Sequence, residues 1–411
     1  MKTRIRRPPI LAALLATLGA CTLGIWGCGG ESPPATAYLG ATLFDGTGSE
    51  PVENAALVVR EGRVVSAGPR DEVAVSPGAA TVDLSGLHVI PGLVNAHGHV
   101  GMARGLETGP EVYTRENVLG QLGRYARYGV TAVVSLGGGG PEGVRIRDAQ
   151  DTPELDRARL FLAGPVLDPP GPDAVPGLLD SLVAMDVDWV KIRVDDNLDR
   201  TEKISPATWG AVIDGGHERG LPVAVHIVEL ADAKAVVRGG ADLVAHSVRD
   251  APVDRELIDL MLERDVCLSP TLTRELSTFV YGERPGFFDD PFFLAEADSS
   301  VIRGLLDPER QRQIRESASA AWYREHLPVA QANLAALHDG GVGIAFGTDS
   351  GPPARFQGFF EHLEMQMMAD AGLDPRSILL SATRDAARCT GLEGVGTLEP
   401  GKWADFVVLR E

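Results

Sequence analysis

Between residues 89 and 348 short apolar runs, many of them β-branched, alternate with longer stretches of helical spacing. The runs are 89–96 (VIPGLVNA), 131–136 (TAVVSL), 159–163 (RLFLA), 189–194 (WVKIRV), 222–227 (PVAVHI), 243–248 (LVAHSV), 266–271 (VCLSPT) and 342–348 (VGIAFGT). Near-continuous apolar runs predict strands buried on both faces, as in parallel sheets. The stretches between them, among them 116–129, 205–219, 228–239, 254–265 and 361–371, predict helices. Eight strand–helix units predict an α/β fold, a parallel (β/α)8 barrel over 89–393.

The pattern differs at both ends. Residues 37–88 carry short apolar runs broken by turns, with Glu61-Gly62 as a hairpin turn, and the same character returns over 394–411. The two segments predict one small β-sandwich-like domain. One connection is long: about 45 residues over 273–316, with five of the 12 Phe (Phe279, Phe287, Phe288, Phe292, Phe293) and Tyr281. After a barrel strand it predicts a lid or substrate wall, or a satellite hydrophobic cluster or dimer contact.

Residues 1–28 follow another rule. A basic start (Lys2, Arg4, Arg6, Arg7) precedes the apolar ILAALLATLGA, an export signal too short to span a bilayer stably. Leu18-Gly19-Ala20-Cys21 resembles a bacterial lipobox, which implies lipidation of Cys21; Cys28 is the second candidate. Residues 29–36 read as a tether. The expected location is the bacterial cell envelope or periplasm, with the membrane reached only through the lipid. Removing the four leader charges takes the net charge from −19 to −23. Such acidity argues against nucleic acid, which needs a basic surface. It leaves a small-molecule substrate and a second copy of the chain as partners. Only Cys267 and Cys389 lie in the mature body. Two distant cysteines predict buried small hydrophobes rather than a disulfide framework.

The candidate chemistry sits where the predicted strands end. His97 and His99 flank Gly98 at the end of the first run, and residues i and i+2 of a strand face the same side. Lys191 lies in the fourth run, His226 ends the fifth, His246 is near the end of the sixth and Asp349 ends the eighth. A barrel gathers such positions on one face. The other five histidines, His88, His217, His326, His338 and His362, read as structural or surface residues.

These residues, with Val89-Ile90-Pro91-Gly92-Leu93-Val94-Asn95-Ala96 before His97, Gly347-Thr348 before Asp349, and the tail Gly396-Thr397-Leu398-Glu399-Pro400-Gly401-Lys402-Trp403-Ala404-Asp405, resemble the amidohydrolase superfamily of metal-dependent hydrolases. Within it the chain is most similar to the imidazolonepropionase-like and prolidase-like branch. The resemblance implies His97, His99 and Asp349 on a first divalent ion, and His226 and His246 on a second. Lys191, carboxylated by carbon dioxide, would bridge the two. Zn²⁺ suits the donors, and Mn²⁺ or Co²⁺ fit the same set. A hydroxide held by two cations attacks an amide, peptide or cyclic amide carbon, and Asp349 passes the proton to the leaving group. A dipeptide or related amide is the expected substrate. The alternative is a one-metal deaminase or imidazolone hydrolase using Glu229 as acid/base, and Glu229 is also placed to favour a helix dipole. From another class, a non-catalytic surface binding lipoprotein remains. Arg193, Tyr113 and Arg274 are candidate substrate-binding residues, and Arg193 can instead pair with Asp195 or Asp196.

Overall fold

The computed structural model describes residues 34–410, so the leader, Cys21, Cys28 and most of the tether lie outside the described residues. The chain ends meet in one six-stranded sheet. Its strands are Thr36–Leu43, Val52–Arg60, Arg63–Pro69, Ala80–Asp83, His88–Pro91 and, from the far end, Phe406–Leu409. Phe406–Leu409 runs antiparallel to His88–Pro91. The Glu61-Gly62 turn has positive φ at both positions, 50° and 70°, which matches the right-handed twist of the strands it joins. Ala41, Leu43, Leu57, Val64, Val89 and Leu398 fill the core of this sheet.

The apolar run from Val89 is divided at Gly92. His88–Pro91 joins the terminal sheet, and only Leu93–Gly98 (β1) enters the parallel body. The two segments differ in neighbours because Gly92 N already donates to Asp405 O of the returning C-terminal strand. β2 (Val130–Ser135) pairs parallel with β1 on one side and with β3 (Arg159–Leu162) on the other, in the order β3-β2-β1. β4 (Val190–Arg193), β5 (Val223–His226), β6 (Leu243–Ala245) and β7 (Cys267–Ser269) form a second parallel sheet in sequence order. Single bridges join these sheets: Leu167 to Ile192 on one side, and Leu268 to Ile344 and Gly98 to Ser350 on the other. Residues 343–350 thus lie between β7 and β1. Gly347 permits the approach, since a Cβ there would fall 2.2 Å from Ser269 Oγ and 2.8 Å from His97 Cβ.

The predicted helices are present as Arg115–Arg127, Pro206–Glu218, Leu230–Arg238, Arg255–Arg264 and Phe359–Asp370. The strand residues Val94, Val133, Leu160, Ile192, Val225, Val244, Leu268 and Phe346 share one core with their inner faces. The long connection is neither open nor unstructured. It carries short helices, among them Leu272–Ser277, Ser299–Leu305 and Pro308–Glu316. Tyr281, Phe288 and Phe293 pack with Tyr128, Phe359 and Phe360 into a separate hydrophobic cluster.

The cysteine expectation fails. Cys267 at the start of β7 and Cys389 of the helix Ala386–Cys389 form a disulfide, with Cα atoms 6.0 Å apart. They are distant in sequence but become neighbours because the last helices return beneath residues 343–350. A second tie holds the terminal sheet to the parallel body. The Trp403 ring lies between the guanidinium of Arg63, 3.7 Å from its centroid, and that of Arg159, 3.9 Å away. Arg159 also bonds Asp405 at 2.8 Å.

Candidate metal centre

The six sequence candidates come from four strands or the residues just after them, β1, β4, β5 and β6, and from the 343–350 segment. His97 and His99, two apart on β1 and just beyond it, turn Nε2 toward one oxygen, Asp349 Oδ1, at 3.7 and 2.6 Å. These three can offer donor atoms within 4.8 Å of one another. Ring centroids of His97 and His246 are 4.8 Å apart, and those of His226 and His246 are 4.2 Å apart. Lys191 lies in β4, 3% exposed, and its Nζ has no hydrogen-bond partner.

The cluster is buried, and burial dominates its electrostatics. Burial, then the Lys191 charge, holds His97 well below the ordinary imidazole range. Burial, then His226, does the same for His246. Burial takes His226 to about 3 despite the opposing pull of Asp195. Burial brings the Lys191 amine down to about 7, against the pull of Asp349. Burial alone would raise Asp349, but Arg355 and His99 keep its carboxyl well below the usual range. Neutral imidazoles, an easily deprotonated amine and an ionised carboxylate are the forms that bind cations.

Orientation comes from outside the cluster. His99 Nδ1 meets Gly137 O at 3.1 Å, His246 Nδ1 meets Thr271 Oγ1 at 2.7 Å, and His226 Nε2 meets Asp195 Oδ2 at 3.1 Å. Such partners fix ring and tautomer in metal sites. His97 Nδ1 is buried without one. Instead its backbone N–H donates to Asn95 Oδ1 at 2.9 Å. Asn95 Nδ2, Thr348 Oγ1 and Ser350 Oγ all donate to Glu361 Oε1, at 2.6, 2.7 and 2.6 Å. Glu364, one turn on, accepts from Leu272 N and Thr273 N, each at 2.7 Å. The helix Phe359–Asp370 thereby ties together the loops after β1, β7 and residues 343–350. Burial raises Glu361, and it raises Glu364 to about 7.

The remaining sequence candidates separate. Arg193 pairs with Asp195 at 2.7 Å, the second of its two expected roles, and half its side chain stays exposed. Arg274 is buried against Glu275 at 2.9 Å and over the Tyr323 ring at 4.4 Å, so its guanidinium is already engaged. The Tyr113 hydroxyl accepts from Gly140 N at 3.0 Å, fixing the loop after β2. Tyr113→Phe is expected to leave kcat/KM within about twofold and to cost about 1 kcal/mol of stability. Steady-state kinetics beside urea unfolding checks both. Glu229 sits at the N-cap of Leu230–Arg238 and is bound to Lys203 Nζ at 2.6 Å.

Sequence reasoning did not single out Arg355, which donates to Asp349 Oδ2 at 2.5 Å, or the Glu361 and Glu364 pair. For the glutamates a signal existed. Within FFEHLEMQMM the two acids are three apart, on the same face as Phe360, Met367 and Met368.

Comparison with known proteins agrees with this geometry. The model of the amidohydrolase family matches residues 88–410. An imidazolonepropionase of Deinococcus radiodurans is 25% identical over 376 residues, covering 87% of this chain and 86% of that one. A solved Xaa-Pro dipeptidase with bound methionine superposes with a TM-score of 0.72 at 20% identity, over 92% of this chain and 94% of that chain. Molinate hydrolase does so with a TM-score of 0.70 at 20% identity, over 92% and 90%. At such identities the structural likeness speaks for the fold. The family match spans the parallel strands and the tail: the chain belongs to the amidohydrolase family and is a hydrolase of carbon–nitrogen bonds.

Proposed function

We propose that the chain is a binuclear amidohydrolase of the prolidase-like kind, cleaving dipeptides or related amides. The observation that carries this reading is Lys191: a buried amine with no hydrogen-bond partner, set among imidazoles that burial keeps neutral. A one-metal site has no use for it, whereas a carbamate on Nζ supplies two oxygens. On this reading the strands form a closed eight-stranded barrel with residues 343–350 as the eighth, and the terminal sheet is a small domain beside it. His97, His99 and Asp349 would hold one ion, His226 and His246 the other, and carboxylated Lys191 both. Zn²⁺ suits the nitrogen-rich set, with Mn²⁺ and Co²⁺ as substitutes.

When bound, the ions supply Lewis acidity and an activated water. The chain does the rest. Asp349 takes the proton of the nucleophile and returns it to the leaving amine. Arg355 holds the second carboxylate oxygen, so the first stays turned toward His97 and His99. Arg193 has one nitrogen, Nη2, on Asp195, and its half-exposed guanidinium would offer the remaining donors to a substrate carboxylate.

The test is metal analysis with a screen of dipeptides, N-acyl amino acids and lactams on the zinc-loaded enzyme. Two ions per chain and turnover of dipeptides are expected. Turnover of lactams alone would overturn the dipeptidase reading, and no metal with no turnover would leave a binding protein. The one-metal alternative rests on Glu229, which Lys203 engages. Glu229→Gln is therefore expected to keep kcat/KM within about threefold, and a hundredfold loss would restore that alternative.

The chain is further read as an exported protein of the bacterial envelope, lipidated at Cys21 or Cys28. The Cys267–Cys389 disulfide supports this, since disulfides persist in oxidising compartments.

A further inference from the structure

Three imidazoles of the cluster spend one ring nitrogen on an outer partner, and they do not spend the same one. His99 and His246 are held through Nδ1, to Gly137 O and Thr271 Oγ1, which leaves Nε2 facing inward. His226 is held through Nε2, to Asp195 Oδ2 at 3.1 Å. A neutral imidazole has one N–H and one lone pair. A carboxylate can only accept, so the bond to Asp195 places the proton on Nε2 and the lone pair on Nδ1.

Asp195 is built for that single task. Its side chain is 3% exposed. Oδ2 takes Arg193 Nη2 at 2.7 Å together with the imidazole, and Oδ1 takes Asn197 N at 2.8 Å. Register explains the meeting. β4 and β5 pair Arg193 with His226, so a residue two beyond Arg193 reaches past the end of β5 to the outer edge of the ring. The following Asn197, Leu198 and Asp199 all have left-handed backbone, φ 56°, 59° and 61°. This turns the chain back at once and leaves Asp195 at the bend.

We propose that Asp195 is a positioning residue that fixes His226 as its Nε2–H tautomer and so presents Nδ1, the opposite nitrogen from its neighbours, to the second metal. This rests on the binuclear reading for its consequence, but the tautomer itself is a property of the metal-free chain. Arg193 supports the arrangement from the site mouth by keeping Asp195 turned inward.

The test uses the full mature chain, stripped of metal and labelled with ¹⁵N-histidine, with His226 assigned by comparison with His226→Gln. The expected spectrum shows His226 protonated at Nε2 in the wild type and mixed tautomers in Asp195→Ala. Zinc titration with metal analysis is then expected to show the second ion bound about 10- to 100-fold more weakly in Asp195→Ala, with the first unchanged. The unchanged first ion also reports an intact fold. Asp195→Asn keeps an accepting oxygen and should recover most of the affinity. A wild-type His226 protonated at Nδ1 would overturn the proposal, as would an Asp195→Ala protein with one tautomer and unchanged second-site affinity. A wild type that binds one ion only would overturn the binuclear reading, while the spectrum would still decide the role of Asp195.

Discussion

Replacing Lys191 with Met is expected to move activity and stability in opposite directions. Kcat/KM should fall on the order of a thousandfold, about 4 kcal/mol of transition-state stabilisation, with bound metal dropping from two ions to one. The metal-free protein should become more stable. Lys191 sits 3% exposed with no hydrogen-bond partner, and an unsatisfied buried polar group costs about 1 to 3 kcal/mol. Met fills a similar volume without that penalty. A structural lysine would behave otherwise, since losing it would cost stability and leave the metal count alone. Metal analysis, steady-state kinetics and urea unfolding of the stripped protein distinguish the cases. Full activity with one ion would sink the bridging role.

Removing the disulfide is the second large change expected. Cys267 and Cys389 are 122 residues apart, and joining them restricts the unfolded chain. For a loop near that length the chain-entropy model gives about 5 kcal/mol, although measured values cluster at 2 to 4. The Cys267→Ser/Cys389→Ser double variant should therefore unfold at clearly lower urea than the oxidised wild type. Reduced wild type should approach the variant. The cystine lies at the start of β7, at the opposite end from the loop that follows Ser269, so metal content should be unaffected. Coincident midpoints for the oxidised wild type and the variant would show that the bond constrains nothing.

The clustered histidines were legible because strand ends announce themselves. Each of the four histidines closes or follows an apolar run, and runs fix both the direction and the end of a parallel strand. Lys191 was legible for the converse reason, as a charge inside such a run. The partners that orient the ligands were not. Asp195 lies two residues beyond the fourth run, and only the register of β4 against β5 brings it to His226. Arg355 and Glu361 act on residues from other elements, so their roles exist only after the chain closes. The Cys267–Cys389 pair is a similar case: its geometry depends on how the last helices return under the body. The contact of Tyr113 was not legible either, since only the folded chain brings Gly140 N to its hydroxyl.

Two of the proposed ligands occupy backbone conformations that disfavour side chains. His246 has φ +74° and Asp349 φ +56°. Left-handed backbone costs a residue with a Cβ about 1 to 2 kcal/mol, and glycine almost nothing. The fold carries that strain because both side chains are engaged where they stand: His246 on Thr271, and Asp349 between Arg355 and His99. Glycine at either position would relax the backbone and leave those buried partners unpaired, which costs more than it returns.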